Sequence, residues 1–192
     1  MSEVPMLPSY APATMGLGRL ILVVGPSGAG KDTLLGFAKA ACAEDANIVF
    51  PRRVVTREAT SSEDNVALSP DEFRDALARG EFAMHWEAHG HSYALPRAID
   101  DDIRTGRSVV VNVSRTVIET ARRAYANVVV IAITAPPEVL AERIKMRARS
   151  SDGSSAERLG RTVDTAAPDV TILNVGRPED HARRLVRAIK GE

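Results

Sequence analysis

Leu20-Ile21-Leu22-Val23-Val24-Gly25-Pro26-Ser27-Gly28-Ala29-Gly30-Lys31-Asp32-Thr33 decides how this chain is read. The apolar run Leu20 to Val24 suits a strand buried on both faces. After Thr33, the residues Leu34, Leu35, Ala38, Ala41 and Cys42 recur on one side of a helix. Between strand and helix lies a glycine loop with the spacing G-x-x-x-x-G-K, the context a phosphate-binding loop needs. Its glycines let the backbone curl so that several N–H groups converge on one anion. The following helix directs its positive end to the same place. Gly25, Ser27, Gly28, Ala29, Gly30, Lys31, Asp32 and Thr33 are therefore the expected binding residues for a phosphate-bearing cofactor. Lys31, a full charge near the β- and γ-phosphates, is the expected catalytic residue of the loop. The general motif follows its Lys with a Ser or Thr that meets magnesium, but here Asp32 comes first and Thr33 second. A carboxylate is also a hard oxygen ligand, so Asp32 and Thr33 are the expected metal ligands.

Composition narrows the class. The 192 residues are 44% apolar and 26% charged, enough for one domain with a proper core. Lys plus Arg and Asp plus Glu balance at 25 each, so no overall charge draws the chain to nucleic acid or to a membrane. Cys42 is the single cysteine and cannot form an internal disulfide. No apolar run approaches a membrane span. Residues 1–17 read as a loose tail, with three prolines before position 16 and no long apolar core of a signal peptide. A cytoplasmic enzyme is the simplest fit.

Further along, Ile48 to Phe50 is a brief apolar patch, and Arg52 to Arg57 leans towards a strand. Residues 58–66 read as a loop. Ser69-Pro70-Asp71-Glu72 is a helix start, with Ser as N-cap, Pro in the first turn and Glu three residues after the cap. That helix is expected to carry Phe73 and Leu77 inward and to stop at Gly80. Phe82 to Trp86 leans extended, His89-Gly90-His91 reads as a turn, and Pro96 to Thr105 as a helix. Ser108 to Val113 and Asn127 to Thr134 are two more buried strands, and Ser114 is positioned to cap the helix between them. Pro136-Pro137 opens another helix, 150–155 reads as a mobile polar run, and a helix follows from about Ser155 to Thr165. Val170 to Leu173 is a last strand before a terminal amphipathic helix from Pro178. Strands alternating with helices imply an α/β fold, a parallel sheet with helices on both faces, in one domain over 18–192.

Arginines gather as Arg52, Arg53 and Arg57, as Arg143, Arg147 and Arg149, and as Arg158 and Arg161. Singly, most arginines are solvated surface charges. Grouped around a polar run in a chain with a phosphate loop, they read as a clamp on anionic oxygens, which is what phosphoryl transfer needs most. His85, Glu87, His89 and His91 have metal-ligand chemistry. Four ligands crowded on a strand and turn do not converge readily on one ion, and a polar pocket wall with Trp86 packed beneath it is the better reading.

Gly-Pro-Ser-Gly-Ala-Gly-Lys, Thr56-Arg57, His89-Gly90 followed by Tyr93, Arg147 with Arg158 eleven positions on, and Leu173-Asn174 together resemble the guanylate-kinase-like branch of the P-loop kinases, over about residues 18–190. The resemblance implies a three-layer P-loop kinase fold with a small acceptor-binding arm at about 51–97 and a closing lid at about 147–160. It also implies Asn174 at the cofactor, and Arg147 and Arg158 as catalytic residues beside Lys31. The departures are informative. A phosphate-gripping Arg becomes Thr60, the carboxylate that reads guanine aligns with Met84, and an acidic residue at a strand end becomes Asn112. A thioether cannot accept the N–H bonds a guanine edge offers.

Those departures resemble a narrower family, the ribose 1,5-bisphosphate phosphokinases of phosphonate breakdown. The chain is similar to it in Asp32 after the loop Lys31, Val55-Thr56-Arg57, Ala67-Leu68-Ser69, Trp86-x-Ala88-x-Gly90, Val111-Asn112-x-Ser114-Arg115 and Arg147-x-Arg149, and differs at Asn65, where the family tends to have His. This resemblance implies ATP as phosphoryl donor, magnesium as cofactor and a sugar bisphosphate as acceptor, with 5-phosphoribosyl 1-diphosphate as product. Arg53, Arg57, Trp86, Glu87, Tyr93, Asn112, Arg115, Arg149 and Arg161 are the implied acceptor-binding residues. No nucleic acid or membrane partner is implied, and a homodimer is compatible with the chain. Guanylate kinase or another nucleoside-monophosphate kinase is the alternative. A non-catalytic guanylate-kinase-like binding module is a weaker one, because such modules typically lack a working phosphate loop.

Overall fold

The computed structural model describes residues 15–57, 64–149 and 167–192, with 147–149 described by backbone alone. Most of the tail, Thr60, the polar run 150–155, the helix expected from Ser155, Arg158 and Arg161 lie outside the described residues. So do the side chains of Arg147 and Arg149.

β1 (Arg19–Val24) is the middle strand of a five-stranded sheet. It pairs in parallel with β7 (Ser108–Asn112) on one side and β8 (Val128–Thr134) on the other. β2 (Ile48–Val49) extends the sheet beyond β7, and β9 (Val170–Leu173) extends it beyond β8. All four pairings are parallel, so the strands must be buried on both faces, and the side-chain period of two divides them. Leu20, Leu22 and Val24 enter one hydrophobic cluster with Val109, Val111 and Val130. Ile21 and Val23 enter another with Val110, Ile131, Ile133 and Ile172. Each fully buried Leu or Ile contributes about 1.5–3 kcal/mol over an exposed one, so register is strongly specified.

Helices cover both faces. α1 (Lys31–Ala41) and α6 (Pro178–Lys190) bury Leu34, Ala38, Ala182, Leu185 and Ile189 in the second cluster. α5 (Pro137–Arg149) lays Leu140 against it. On the opposite face lie α3 (Ala98–Arg104) and, after a short 3₁₀ turn at Arg115–Val117, α4 (Ile118–Ala124). Ser114 accepts a bond from the Thr116 N–H, the capping expected of it. α3 and the end of α4 are tied by a buried bond in which the Tyr125 hydroxyl donates to Asp100 Oδ1 at 2.7 Å. Arg97 approaches the other oxygen of Asp100 at 3.7 Å.

A second sheet, not read from the sequence as such, shares this face. Its order is β4-β3-β6-β5, from β3 (Arg53–Val55), β4 (Asn65–Ala67), β5 (Phe82–Ala88) and β6 (His91–Pro96). β5 and β6 form a hairpin whose turn residues His89 and Gly90 both take positive φ, 53° and 74°, as a two-residue type I′ turn requires. α2 (Pro70–Ala78) packs on this sheet, with its full capping box formed between Ser69 and Glu72.

Four expectations are corrected. Asn65 and Val66, at the end of the loop expected over 58–66, belong instead to β4. The helix expected from Pro96 starts at Ala98, because His91 to Pro96 is the strand β6. Tyr93, Ala94 and Leu95 of that strand are all buried, so no alternation marked it. Leu77 is 38% exposed and Ala76 takes the inward place, beside Phe73, whose ring lies 4.9 Å from that of Phe82. On α1, Ala41 faces outward while Leu34 and Ala38 face the core.

Candidate active site

The loop between β1 and α1 stands at the carboxyl ends of the parallel strands, where ligands bind in open α/β sheets. Its path admits only glycine at two points. A Cβ on Gly25, at φ 150°, would lie 2.0 Å from the Ile133 carbonyl oxygen of β8. A Cβ on Gly30, at φ 85°, would lie 2.4 Å from Asn174 Nδ2. The loop thus presses on the backbone of β8 and on the Asn174 amide, and turns left-handed into the helix. α1 starts with no side-chain cap, so its first N–H groups remain directed at the loop's hollow. Lys31 Nζ donates to the carbonyls of Gly25 at 2.8 Å and Pro26 at 3.0 Å, which folds its charge back over the loop. Ser27 and Gly28 are half-buried and Ala29 is buried.

Asn174, expected at the cofactor, lies under the loop. It is 3% exposed, and its Nδ2 donates to the Ala29 carbonyl at 2.8 Å. Its Oδ1 is buried with no partner among the described residues. Arg143 on α5 donates to the Asn174 carbonyl at 3.1 Å and to the Gly28 carbonyl at 3.4 Å. In the sequence Arg143 is one of a group of arginines with no mark of its own. Its role as a brace for the loop depends on contacts 31 and 115 residues away, which no local pattern displays.

A cleft of about 190 Å³ opens beside α1. Its lining includes Asp32 and Lys39 from α1, Arg53 and Asn65 from the small sheet, and Asn112 from the end of β7. Asn112 Nδ2 donates to Asp32 Oδ1 at 2.8 Å. The Asn112 carbonyl accepts from Arg53 Nη1 at 3.0 Å, and Arg53 Nε donates to Asn65 Oδ1 at 3.3 Å. Arg53 also sits over the Tyr93 ring, 5.9 Å from its centroid, within cation–π range. At the cleft's edge Asp64 bridges Lys39 (2.9 Å) and Arg52 (2.7 Å). The Lys39 bond, with both positive charges, holds the Asp64 carboxyl below its ordinary range. All three side chains are more than half exposed, so this triad contributes little to stability.

The small sheet divides three of the implied acceptor-binding residues between its two faces. Trp86 and Tyr93 are cross-strand partners, stacked with centroids 5.6 Å apart and planes 9° from parallel, and both are buried. Glu87 is exposed on the other face of β5, as the strand period demands, so Trp86, Glu87 and Tyr93 do not form one wall. Met84 shares the buried face with Trp86 and is 4% exposed. Arg57 is half-buried at the bend after β3, and Arg115 is half-buried just beyond the carboxyl end of β7. His85, Glu87, His89 and His91 form no metal-binding group, nor does any set of three or more His, Cys, Asp and Glu among the described residues.

The donor set suits a nucleotide and a magnesium ion. The left-handed glycines and the uncapped helix offer backbone N–H groups to phosphate oxygens. Asp32 and Thr33, both exposed on the first turn of α1, offer hard oxygens. Two protein oxygens are few, but magnesium usually keeps waters and takes its remaining ligands from phosphates. No described helix is long and apolar enough to cross a membrane.

No family model matches the chain. Individual relatives do. The chain is 63% identical to the ribose 1,5-bisphosphate phosphokinase PhnN of Bradyrhizobium diazoefficiens, over 100% of this chain and 98% of that protein. It is 64% identical to the protein of the same name from Rhodopseudomonas palustris, over 92% and 90%. Among solved structures it is similar to guanylate kinase from Anaplasma phagocytophilum, with a TM-score of 0.65, 24% identity, and coverage of 92% of this chain and 87% of that one. That likeness carries the fold, an α/β P-loop kinase fold. The sequence identities, sustained from end to end, carry the family: the chain belongs to the ribose 1,5-bisphosphate phosphokinases.

Proposed function

We propose that the protein transfers the γ-phosphoryl group of ATP to the 1-phosphate of ribose 1,5-bisphosphate, giving 5-phosphoribosyl 1-diphosphate and ADP, as a cytoplasmic step of phosphonate catabolism. An oxygen of the 1-phosphate forms the new bond to the γ-phosphorus, and the bond to the β–γ bridging oxygen breaks. The attacking oxygen is already ionised, so the protein need supply no general base. Its work is positioning and charge stabilisation. The loop backbone from Gly25 to Gly30 holds the donor phosphates, with Lys31 as the mobile charge and Asn174 and Arg143 bracing the loop from below. Asp32 and Thr33 would hold magnesium, which screens phosphate charge when bound. The small sheet with α2, about 51–97, is the acceptor arm. Arg53, Arg57 and Arg115 grip the two acceptor phosphates, with Arg149 and Arg161. Arg147 and Arg158 stabilise the moving phosphoryl group from a lid at about 147–160.

The observation that favours this acceptor over a nucleoside monophosphate is Met84. By the resemblance it stands where guanylate kinases carry their guanine-reading carboxylate, and it lies buried in the same apolar cluster as Val55, Trp86 and Leu95. A thioether in an apolar cluster does not accept the N–H groups of a base, and each donor left unpaired costs about 1–3 kcal/mol. Two such donors, about 2–6 kcal/mol together, correspond to about 30-fold or more in kcat/KM. The test is an acceptor screen with ATP, comparing ribose 1,5-bisphosphate with GMP and AMP. Ribose 1,5-bisphosphate should lead by at least that factor, and Arg57→Ala should raise its KM more than that of ATP. Efficient GMP phosphorylation without turnover of ribose 1,5-bisphosphate overturns the reading.

A further inference from the structure

P-loop nucleotide-binding proteins commonly hold magnesium with a hydroxyl on the helix after the loop and a carboxylate at the end of a neighbouring strand. Here the helix position carries the carboxylate, Asp32, and the strand end carries an amide, Asn112. The two side chains, 80 residues apart in sequence, are joined by the 2.8 Å bond from Asn112 Nδ2 to Asp32 Oδ1. We infer that the two positions have exchanged roles: Asp32 supplies the anionic ligand from the helix, and Asn112 is the positioning residue that orients it, rather than a group that touches the acceptor.

Three features carry this. First, one carboxylate occupies the pair. Two carboxylates at hydrogen-bonding distance would repel and share a proton, so an Asp at position 32 requires a neutral donor opposite, and a carboxamide N–H is one. Second, the amide engages Oδ1 only, and Asp32 makes no other hydrogen bond among the described residues, which leaves Oδ2 for a cation. Third, Asn112 is itself held from both sides. As the last residue of β7 it is in register with Val23 of β1, and its carbonyl receives Arg53 from the small sheet. Arg53 is in turn bound to Asn65. The orientation of the metal-binding carboxylate is thereby linked to the arm proposed to hold the acceptor. Partners behind a metal ligand fix its geometry in this way, and their removal typically lowers metal affinity about 10–100-fold.

The inference rests on the proposed magnesium site at Asp32, and one experiment separates the two. The affinity of manganese, as a magnesium substitute, is measured by electron paramagnetic resonance on the full chain saturated with a non-hydrolysable ATP analogue. Asp32→Ser should weaken manganese binding. Asn112→Ala should weaken it about 10-fold while leaving the acceptor's KM nearly unchanged at saturating metal. The double variant Asp32→Ser/Asn112→Asp, which recreates the ordinary pairing, should regain about 10-fold over Asp32→Ser alone. It also keeps the test decisive if Asn112→Ala melts early. Unchanged affinity in Asp32→Ser removes the metal site itself. Weakened affinity in Asp32→Ser, with no effect of Asn112→Ala and no recovery in the double variant, leaves the site standing and overturns the exchange. A raised acceptor KM in Asn112→Ala with unchanged metal affinity would return Asn112 to the acceptor.

Discussion

Replacing Gly30 by Ala puts the phosphate loop's contact with Asn174 to a quantitative test. Gly30 sits at φ 85°, ψ 23°, a left-handed conformation that costs an L-residue about 1–2 kcal/mol. The new methyl would stand 2.4 Å from Asn174 Nδ2, well inside contact distance, with the Arg143 guanidinium next at 3.9 Å. The amide must therefore move, and moving it breaks its 2.8 Å bond to the Ala29 carbonyl in a site where Asn174 is 3% exposed. Leaving a buried group unsatisfied costs about 1–3 kcal/mol. Together the variant should lose about 2–5 kcal/mol, which for a chain of this length lowers Tm by roughly 4–20 °C. Differential scanning calorimetry reads this directly, and KM for ATP should rise in the same variant. The decisive comparison is the double variant Gly30→Ala/Asn174→Ala. Truncating the amide removes the atom that the methyl strikes, so the two losses should fall short of adding by about 1 kcal/mol or more. A Gly30→Ala protein that melts within a degree of the parent, or two losses that simply add, would refute the argument that this contact governs the loop.

Lys31→Ala should leave the melting temperature nearly unchanged and cut phosphoryl transfer by at least about 100-fold, near 3 kcal/mol of lost transition-state stabilisation; turnover of ATP at the parent rate would place the active site elsewhere. Tyr125→Phe removes the donor to a buried carboxylate that is 4% exposed, and should cost about 1–3 kcal/mol in a denaturant titration at neutral pH. Burial and the bond to Asp100 raise the Tyr125 pKa above its ordinary 10, so the folded state keeps a proton that the unfolded chain gives up. The resulting stability is complete below pH 10 and is lost as pH rises beyond it. The parent should thus lose stability more steeply than Tyr125→Phe between about pH 9.5 and 11, and parallel profiles would count against the buried phenol.

Local signals were legible where local physics suffices. The strand, glycine loop and helix of residues 19–41 follow from an apolar run, the conformational freedom of glycine and an amphipathic period. The cap at Ser69 and the strands β7 and β8 follow in the same way. β6 did not, because burial of consecutive residues on both faces erased its alternation and Pro96 imitated a helix start. Trp86, Glu87 and Tyr93 could be named as neighbours but not assigned to faces, since that requires the pairing of β5 with β6.

The sequence by itself determined the chemistry on offer: a glycine loop with phosphate-binding spacing, a carboxylate where a hydroxyl is usual, arginines grouped along the chain, and a thioether at Met84. It determined these because each depends on residue type and short spacing. Only the tertiary structure decided which groups meet. Asp32 finds Asn112, Arg53 reaches Asn112 and Asn65, and Arg143 and Asn174 close beneath the loop. The partners stand between 12 and 145 residues apart, and what brings them together is the parallel order of the strands and the packing of two sheets on one core. Hydrogen bonds act over about 3 Å, so they are written in the folded geometry and not in the spacing of the chain.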